Sequence, residues 1–300
     1  MHHISFVILH YLSFEVTSAC VDSICESYAQ TDTVSWQIIL VDNASPNDSF
    51  EQLRQKYHVF SHITLLHSNE NLGFAKGNNL GYRYALEHFH SDFVVIANND
   101  TEFLQTDFLQ KMIQIYEEHH CALIGPDILN INGYHQNPYR SHPITDRQLS
   151  HWLRNRKLWL GFLHMDNCLH LSEHISFFRT FYQKRALAGM PLNTWEEAAD
   201  NVVLQGACII FTPLYIEKFP LNAFYPETYM YCEEDILTYF CVENRLVTHY
   251  TPDLQILHRD SVSTSLSHAS QREKDLFLTK NMIRSLKIFR RLRRQKKISF

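Results

Sequence analysis

Residues 91–101 read Ser-Asp-Phe-Val-Val-Ile-Ala-Asn-Asn-Asp-Thr, an apolar run that stops at three polar side chains. The apolar part, residues 93–97, is rich in β-branched residues and is typical of a strand buried on both faces. Asn98, Asn99 and Asp100 cannot be buried without partners. In an open α/β sheet, ligands bind just beyond the carboxyl ends of the strands, and Asp100 there would suit a hard cation such as Mg²⁺ or Mn²⁺. The alternative is a plain Asn/Asp turn after a strand.

The segments on either side of this strand alternate between two periodicities. Short apolar runs predict strands, and apolar residues spaced three or four apart predict helices. The alternation predicts an α/β fold with a doubly wound, mostly parallel sheet flanked by helices. Predicted strands cover residues 4–9, 36–41, 63–66, 93–97 and 121–124, and predicted helices follow Ser13 and cover residues 50–57, 75–89 and 106–118.

Three of these predicted strands end in polar, turn-forming clusters, at residues 42–43, 69–73 and 98–100. The carboxyl ends of parallel strands meet at one edge of a sheet, so the three clusters together predict a polar crevice. No Gly-x-Gly-x-x-Gly follows the first strand, and no Walker A sequence occurs. The sequence therefore argues against a dinucleotide-binding Rossmann domain and excludes a P-loop NTPase.

The composition indicates a globular protein in a reducing compartment. The 300 residues are 45% hydrophobic and 20% charged, which suffices for a sizeable core. No stretch approaches the roughly 20 apolar residues needed to cross a bilayer, and the first residues do not resemble a signal peptide, so we expect a cytoplasmic protein. The seven cysteines form no Cys-x-x-Cys pair, which predicts neither a disulfide framework nor a zinc site.

The sheet pattern is interrupted by residues 133–200, a segment rich in histidine, arginine and aromatic residues. We interpret it as helices and loops inserted between two parts of one domain. Its aromatic residues could form an ordinary helical extension packed inward. The alternative is a lid or acceptor-side wall with membrane contact.

The strand pattern resumes over residues 202–212, and a last predicted strand over residues 254–258 ends at His258. Between them, residues 233–235 are three consecutive acids at the start of a predicted helix. The helix dipole favours acids at that end, but partly desolvated carboxylates in this position would also suit a general base. For His258, a structural role and a ligand role are both open.

Positive charge is concentrated at the C-terminus. Residues 280–300 contain nine Lys and Arg and no acid, although the whole chain has a formal net charge of −5. One interpretation is a solvated helix, and the other is attachment to anionic lipid at the inner face of the plasma membrane. No other feature indicates a nucleic-acid partner.

The run Asn-Glu-Asn-Leu-Gly-Phe-Ala-Lys-Gly-Asn-Asn at residues 69–79 is highly specific, and weaker stretches accompany it. These are Val-Asp-Asn-Ala-Ser at 41–45, Asn-Asn-Asp-Thr at 98–101, Gln-Gly-Ala at 205–207, Tyr-Cys-Glu-Glu-Asp at 231–235, and His258 with Ser-Thr-Ser at 263–265. In this order and spacing, from about residue 4 to residue 266, the chain resembles the inverting family 2 nucleotide-sugar glycosyltransferases of the GT-A fold. The resemblance is greatest to bacterial rhamnosyltransferase-like enzymes of surface polysaccharide synthesis.

The resemblance implies a role for each matching position. Gly73 and Gly77 would let the backbone approach the ligand closely. A divalent cation, Mg²⁺ or Mn²⁺, would be held by Asp100 and His258. The nucleotide would be bound by Asp42, Asn43, Asn71, Gly73, Lys76, Asn78, Asn98 and Asn99, and the donor sugar and acceptor would be bordered by Gln205, Gly206, Ala207 and Glu233.

The implied reaction is a single in-line displacement at the anomeric carbon of the donor, with inversion. Glu234 is the first choice for the base that removes the acceptor proton, and Asp235 is the second. The resemblance implies a UDP or dTDP sugar as donor and a saccharide or polyprenyl-linked saccharide as acceptor. The product would belong to a capsule, an O-antigen or a similar polysaccharide.

These inferences predict a glycosyltransferase domain over residues 1–275 and a basic amphipathic tail over residues 276–300. The domain would comprise a nucleotide-binding half (1–132), the insert (133–200) and an acceptor half (201–275). A degenerate nucleotide-sugar-binding scaffold is one rival, since Asn98 and Asn99 replace acids. A sugar-phosphate nucleotidyltransferase is another, but it would want a glycine-rich basic loop after the first strand, and residues 10–13 provide none.

Overall fold

A computed structural model describes residues 1–31, 33–169, 194–259 and 271–299 of the chain. Its strands form one mixed sheet in the order β3-β2-β1-β4-β8-β6-β9-β5, and β7 pairs with β9. The strands are β1 His3–His10, β2 Ser35–Asp42, β3 Ile63–His67, β4 Phe93–Asn98, β5 Thr101–Glu102, β6 Leu123–Asn130, β7 Ala199–Asp200, β8 Cys208–Phe211 and β9 Thr248–His258.

Helices cover both faces of this sheet, and each face has its own apolar core. Successive side chains of a strand point to opposite faces, so Val7 of β1 joins one core while Phe6 and Ile8 join the other. The helices are α1 Phe14–Tyr28, α2 Ser49–Tyr57, α3 Gly73–Phe89, α4 Phe108–His119, α5 Asp146–Leu169, α6 Pro213–Lys218, α7 Glu233–Glu243 and α8 Gln271–Gln295.

The N-terminal half has the predicted doubly wound arrangement. Strands β3, β2, β1 and β4 are all parallel, with α1, α2 and α3 as crossovers. The register pairs His10 with Asp42 and Leu9 with Asn98, so the polar strand ends lie side by side. The predicted α/β fold class is confirmed, including the common edge at which these clusters meet.

The second half differs from the prediction in strand length and direction. Strand β8 is antiparallel to β4 and β6, and it is shorter than the predicted strand over residues 202–212. Strand β6 continues past the predicted end at residue 124, because a register shift between Pro126 and Asp127 accommodates the proline. Residues 170–193 of the insert, and residues 263–265 of the resemblance, lie outside the described part of the chain.

The C-terminal basic segment is an integral helix of the domain. Helix α8 packs against α5, and its apolar residues Leu286, Phe289 and Leu292 are 1%, 1% and 0% exposed within the main core. The helix also begins before the predicted boundary at residue 276. The apolar face of α8 is therefore buried, and attachment to anionic lipid through its exposed basic side chains stays a prediction. In the described ranges, no helix is long and apolar enough to cross a membrane.

Because α8 completes the core, we expect Phe289→Ala to lower the free energy of unfolding by about 3–5 kcal/mol. The ring of Phe289 lies 5.7 Å from that of Tyr239, so truncation leaves a cavity between α8 and α7. Chemical denaturation measures the change, and Arg294→Ala on the exposed side of the same helix is the control. Equal stability of the two variants would contradict an integral role for α8.

Candidate active site

The polar crevice forms where the carboxyl end of β4 meets the start of β8. The Asn98 N–H donates a hydrogen bond to the Ala207 carbonyl at 2.9 Å, which brings residues 205–207 beside the strand end. The Gln205 side chain accepts a hydrogen bond from the Ala207 N–H and thereby closes this turn. The two stretches, more than 100 residues apart in sequence, thus form one wall of the crevice.

Asp100 and His258 are neighbours at this edge. Strand β5 pairs with β9 so that Thr101 lies opposite His258, and Asp100 Oδ1 is 3.2 Å from His258 Nε2. Both side chains are buried, at 7% and 6% exposure. The structure therefore brings together the two residues that the resemblance implied as metal ligands.

A third residue, Gln136, orients His258. Its Oε1 lies 2.7 Å from His258 Nδ1, the ring nitrogen that faces away from Asp100. The contact with Gln136 fixes the ring so that Nε2 faces Asp100, which is the usual way in which a ligating histidine is oriented. Sequence reasoning missed Gln136, because no sequence pattern links it to a histidine 122 residues away.

Glu234 lies in a cavity of about 390 Å³ at the N-terminus of α7. It is partly exposed, and its carboxylate accepts a hydrogen bond from the Gly206 N–H. Burial raises its pKa above the usual value, against the opposing effects of backbone hydrogen bonds and of Arg140. The cavity is also lined by Tyr139, Trp152, Asn155, Arg156, Tyr231, Cys232, Asp235, Met282 and Leu286.

The acids on either side of Glu234 face different surroundings. Glu233 is 4% exposed and does not line this cavity, so its place beside the donor and acceptor stays a prediction. Burial raises the pKa of Glu233 to about 8, with repulsion from Glu234 adding to the effect. Burial likewise raises the pKa of Asp235 to about 7, although Arg140 opposes this shift.

Arg140 is the main residue of this site that sequence reasoning missed. Its guanidinium forms an ion pair with Asp235 and lies 4.7 Å from the ring centre of Tyr139 and 5.2 Å from that of Trp152. These contacts hold a positive charge next to Asp235 and in the field of Glu234. An isolated arginine in a loop carries no sequence signal for such a role.

Asp42 is fully buried at the end of β2. Its Oδ2 is 2.8 Å from His67 Nδ1, and its Oδ1 is 3.9 Å from His10 Nε2. Burial lowers the pKa of His10 to about 4 despite the attraction of Asp42, so this ring is neutral near pH 7. His67 is half-exposed and links the carboxylate to the surface.

The loop between β3 and α3 is held by amides. Asn43 Oδ1 accepts a hydrogen bond from the Leu72 N–H at 2.8 Å. Asn71 Oδ1 accepts hydrogen bonds from the Gly73 N–H at 3.0 Å, the Tyr229 hydroxyl at 2.9 Å and the Asn43 amide at 3.2 Å. The structure thus places Asn43 and Asn71 together, where they determine the conformation of the loop.

Gly73 and Gly77 lie where other parts of the protein come close to the backbone, and the expected approach of a ligand to them stays a prediction. Gly73 has φ +75°, and a Cβ there would lie 2.3 Å from the Tyr229 carbonyl oxygen. A Cβ on Gly77 would lie 2.6 Å from Leu9 Cδ1. Both glycines are needed because other parts of the protein pack against them.

The remaining predicted nucleotide ligands are more scattered. Asn99 donates a hydrogen bond to Thr17 Oγ1 at 2.9 Å and is buried. Asn78 donates to the Phe74 carbonyl at 3.0 Å, and its buried Oδ1 has no hydrogen-bond partner in the part of the chain that the structure describes. Lys76 is exposed and lies beside α8 rather than beside Asp42.

The mixed α/β sheet thus has polar side chains at the carboxyl ends of β1, β2 and β4, the arrangement that the resemblance implied. The model of the family described as "Glycosyl transferase family 2" matches residues 5–186, which are more than half of the chain. The chain therefore belongs to glycosyl transferase family 2.

The relatives support this assignment at different levels. Low-salt glycan biosynthesis hexosyltransferase Agl10 of Haloferax volcanii is 29% identical over 130 residues, which are 43% of this chain and 38% of that protein. The match thus spans well under half of the relative. The structure of S. aureus TarS with UDP-GlcNAc has a TM-score of 0.56 at 13% identity, over 96% of this chain and 66% of that one.

A second solved structure has the same fold. The mannosyltransferase PcManGT of Pyrobaculum calidifontis, in complex with GDP-Man and Mn²⁺, gives a TM-score of 0.51 at 13% identity, over 93% of this chain and 69% of that one. At these identities the likeness to TarS and PcManGT establishes the GT-A fold.

Proposed function

We propose that this protein transfers a hexosyl or rhamnosyl group, with inversion, from a UDP or dTDP sugar to a saccharide or lipid-linked saccharide during polysaccharide synthesis. The observation that carries the proposal is the position of Glu234, whose partly exposed carboxylate lies in a cavity and is aimed by the Gly206 N–H. TarS binds UDP-GlcNAc and Agl10 is a hexosyltransferase of glycan synthesis, which supports a nucleotide sugar as donor.

The donor diphosphate would be held at the Asp100–His258 pair. A carboxylate and an imidazole nitrogen 3.2 Å apart form a mixed O/N donor set that suits Mn²⁺ or Mg²⁺. Within the described ranges, no cluster of three or more His, Cys, Asp or Glu could hold a metal ion, so diphosphate oxygens would complete the coordination. When bound, the cation would neutralise charge on the departing diphosphate.

The base and ribose would occupy the end of β2, near Asp42 and the Asn43–Asn71 loop. Asn98 and Asn99 at the end of β4 would border the ribose and diphosphate. Of this set, Asn78 offers a buried Oδ1 that lacks a partner in the described ranges. A ligand N–H or hydroxyl would satisfy that acceptor, which otherwise costs stability.

In the transfer step, Glu234 would accept the proton of the acceptor hydroxyl. The acceptor oxygen forms a bond to the anomeric carbon as the bond between that carbon and the diphosphate oxygen breaks, and the electron pair leaves with the nucleoside diphosphate. The raised pKa makes Glu234 a stronger base than an exposed glutamate. Arg140 would keep Asp235 in place as a positioning residue.

The test is hydrolysis of a panel of UDP and dTDP sugars by the purified protein, with Mn²⁺ or with EDTA. We expect cation-dependent release of nucleoside diphosphate from at least one donor, and at least about tenfold less with Asp100→Asn, since the cation loses its carboxylate. Asp253→Asn, exposed on the same strand as His258, is the control. Donor binding without turnover for the whole panel would favour a non-catalytic scaffold instead.

A further inference from the structure

The outer face of α8 carries a row of positively charged side chains. Lys280, Arg284, Lys287 and Arg291 are exposed and follow a spacing of four, three and four residues, which places them on one side of the helix. Buried residues such as Leu286 and Phe289 occupy the opposite side. Since α8 is docked by that apolar side, the cations have a fixed position relative to the rest of the domain.

These cations form one wall of a groove of about 620 Å³. The other wall comes from Lys76 near the start of α3 and from Pro226 and Glu227 in the loop before α7. Five basic side chains from two helices therefore face one concave surface. A groove of this volume is within the range of small-molecule sites.

The groove has a large excess of positive charge. Glu227 is engaged by Arg291 and by the Tyr225 hydroxyl. Among the described residues, no carboxylate lies within 4.0 Å of Lys76, Lys280, Arg284 or Lys287, although ion pairs occur elsewhere on the surface. Neighbouring like charges repel one another, and a phosphate group would relieve this repulsion and be bound strongly by Arg and Lys.

The groove and the Glu234 cavity lie on two sides of the same helical segment. Met282 and Leu286 of α8 line the cavity, whereas Lys280, Arg284 and Lys287 line the groove. The Ser285 hydroxyl donates a hydrogen bond to the Met230 carbonyl at 2.9 Å, which ties α8 to the loop that leads into Glu233. The two sites are thus separated by about one helix diameter, roughly 10–12 Å.

We propose that this basic groove binds the phosphate end of the acceptor, so that the acceptor is a saccharide carried on a mono- or diphosphate. The inference rests on the proposed function and specifies its acceptor. A ligand anchored by its phosphate in the groove would extend past α8, over about one helix diameter, to place its saccharide at Glu234. The buried apolar side of α8 leaves no surface for insertion into a bilayer, which favours a discrete phosphate ligand over a lipid surface.

The experiment measures binding of farnesyl diphosphate, with farnesol as the phosphate-free counterpart, by calorimetry in EDTA and saturating UDP. We expect the wild-type protein to bind farnesyl diphosphate in a salt-sensitive manner and not farnesol. Arg284→Glu/Lys287→Glu should weaken binding at least about tenfold, because each substitution reverses a charge in the groove. Arg294→Glu/Lys296→Glu, with the same total charge change on exposed residues beyond the groove, should change binding less than about twofold.

Circular dichroism verifies that the variants fold. Lys280→Glu, about one helical turn before Arg284, is a second groove variant and should also weaken binding of farnesyl diphosphate. Equal weakening by the control, or no binding by the wild type, would overturn the proposal. So would groove-dependent binding to vesicles of phosphatidylglycerol and phosphatidylcholine without binding of farnesyl diphosphate. This assay needs no catalysis, so its result is independent of the proposed function. If the protein binds farnesyl diphosphate but hydrolyses no nucleotide sugar, the proposed function is refuted while phosphate binding by the groove is retained.

Discussion

Replacing Glu234 by glutamine is expected to lower the rate of sugar transfer by about 10²–10⁴-fold, the usual contribution of a general base. Glutamine keeps the shape of the side chain and can still accept the Gly206 hydrogen bond, so binding of the donor should change little. The pH profile gives a second readout. Burial raises the pKa of Glu234, so wild-type activity should rise with pH through a pKa above that of an exposed glutamate, and the residual activity of the variant should lack this limb.

Two further variants separate Glu234 from its neighbours. Asp235→Asn should lower activity less, since it breaks the Arg140 ion pair without removing the base. Gly206→Ala tests the position of the carboxylate, because a Cβ at residue 206 would lie 2.6 Å from Glu234 Oε1 and displace it. Full activity of Glu234→Gln together with an inactive Asp235→Asn would identify Asp235 as the base.

The sequence was sufficient to predict the N-terminal half of the fold. The central strands β1 and β4 are buried on both faces, and β1 to β4 follow one another through helices of clear 3.6-residue period, so local pattern and topology agree. It was less informative for β8, since a turn at Gln205 and Gly206 divides an apolar run that reads as one strand. The length of strand β6 was underestimated because glycine and proline, here Gly125 and Pro126, normally mark a strand end.

The candidate site, like the fold, could be predicted from the sequence only in part. Asp100 and His258 were expected to be partners because the resemblance implied both as metal ligands, and their 3.2 Å separation depends on the β5–β9 pairing. The contributions of Arg140 and Gln136 could not be predicted from the sequence. Arg140 acts through Asp235, 95 positions away, and Gln136 acts through His258, 122 positions away. The burial of Glu233 also escaped prediction, since three consecutive acids look equally exposed in sequence.

The C-terminal helix illustrates a different limit. Its charge was visible in the sequence, and so were Leu286 and Phe289 among the basic residues, but periodicity alone does not say what an apolar helix face contacts. The structure shows that this face completes the core beside α5. The charge is therefore presented outward from a helix that is docked on the core.

We expect Glu233→Gln to stabilise the protein at alkaline pH. Glu233 is buried and its pKa is raised to about 8, whereas in the unfolded chain it is near 4.3. Between these values the folded state holds a proton that the unfolded state has released, so the free energy of unfolding falls as pH rises. The contribution is fully present below the unfolded pKa and is lost as pH approaches the folded pKa. At about 1.4 kcal/mol per pKa unit, the loss amounts to about 3–5 kcal/mol by pH 9.

Glutamine mimics the protonated acid and does not titrate, so the variant should escape this loss. Denaturation of wild type and Glu233→Gln from pH 5 to pH 9 measures the difference in unfolding free energy, which cancels groups common to both, including Asp235 and His10. The difference should be small at pH 5 and should grow in favour of the variant toward pH 9. Glu243→Gln, an exposed acid at the other end of α7, should show no such trend. A difference in unfolding free energy that does not change with pH would contradict this prediction. It would mean that the ionised Glu233 carboxylate is solvated in the folded state, for example by water reaching Oε1, which has no hydrogen-bond partner in the described part of the chain.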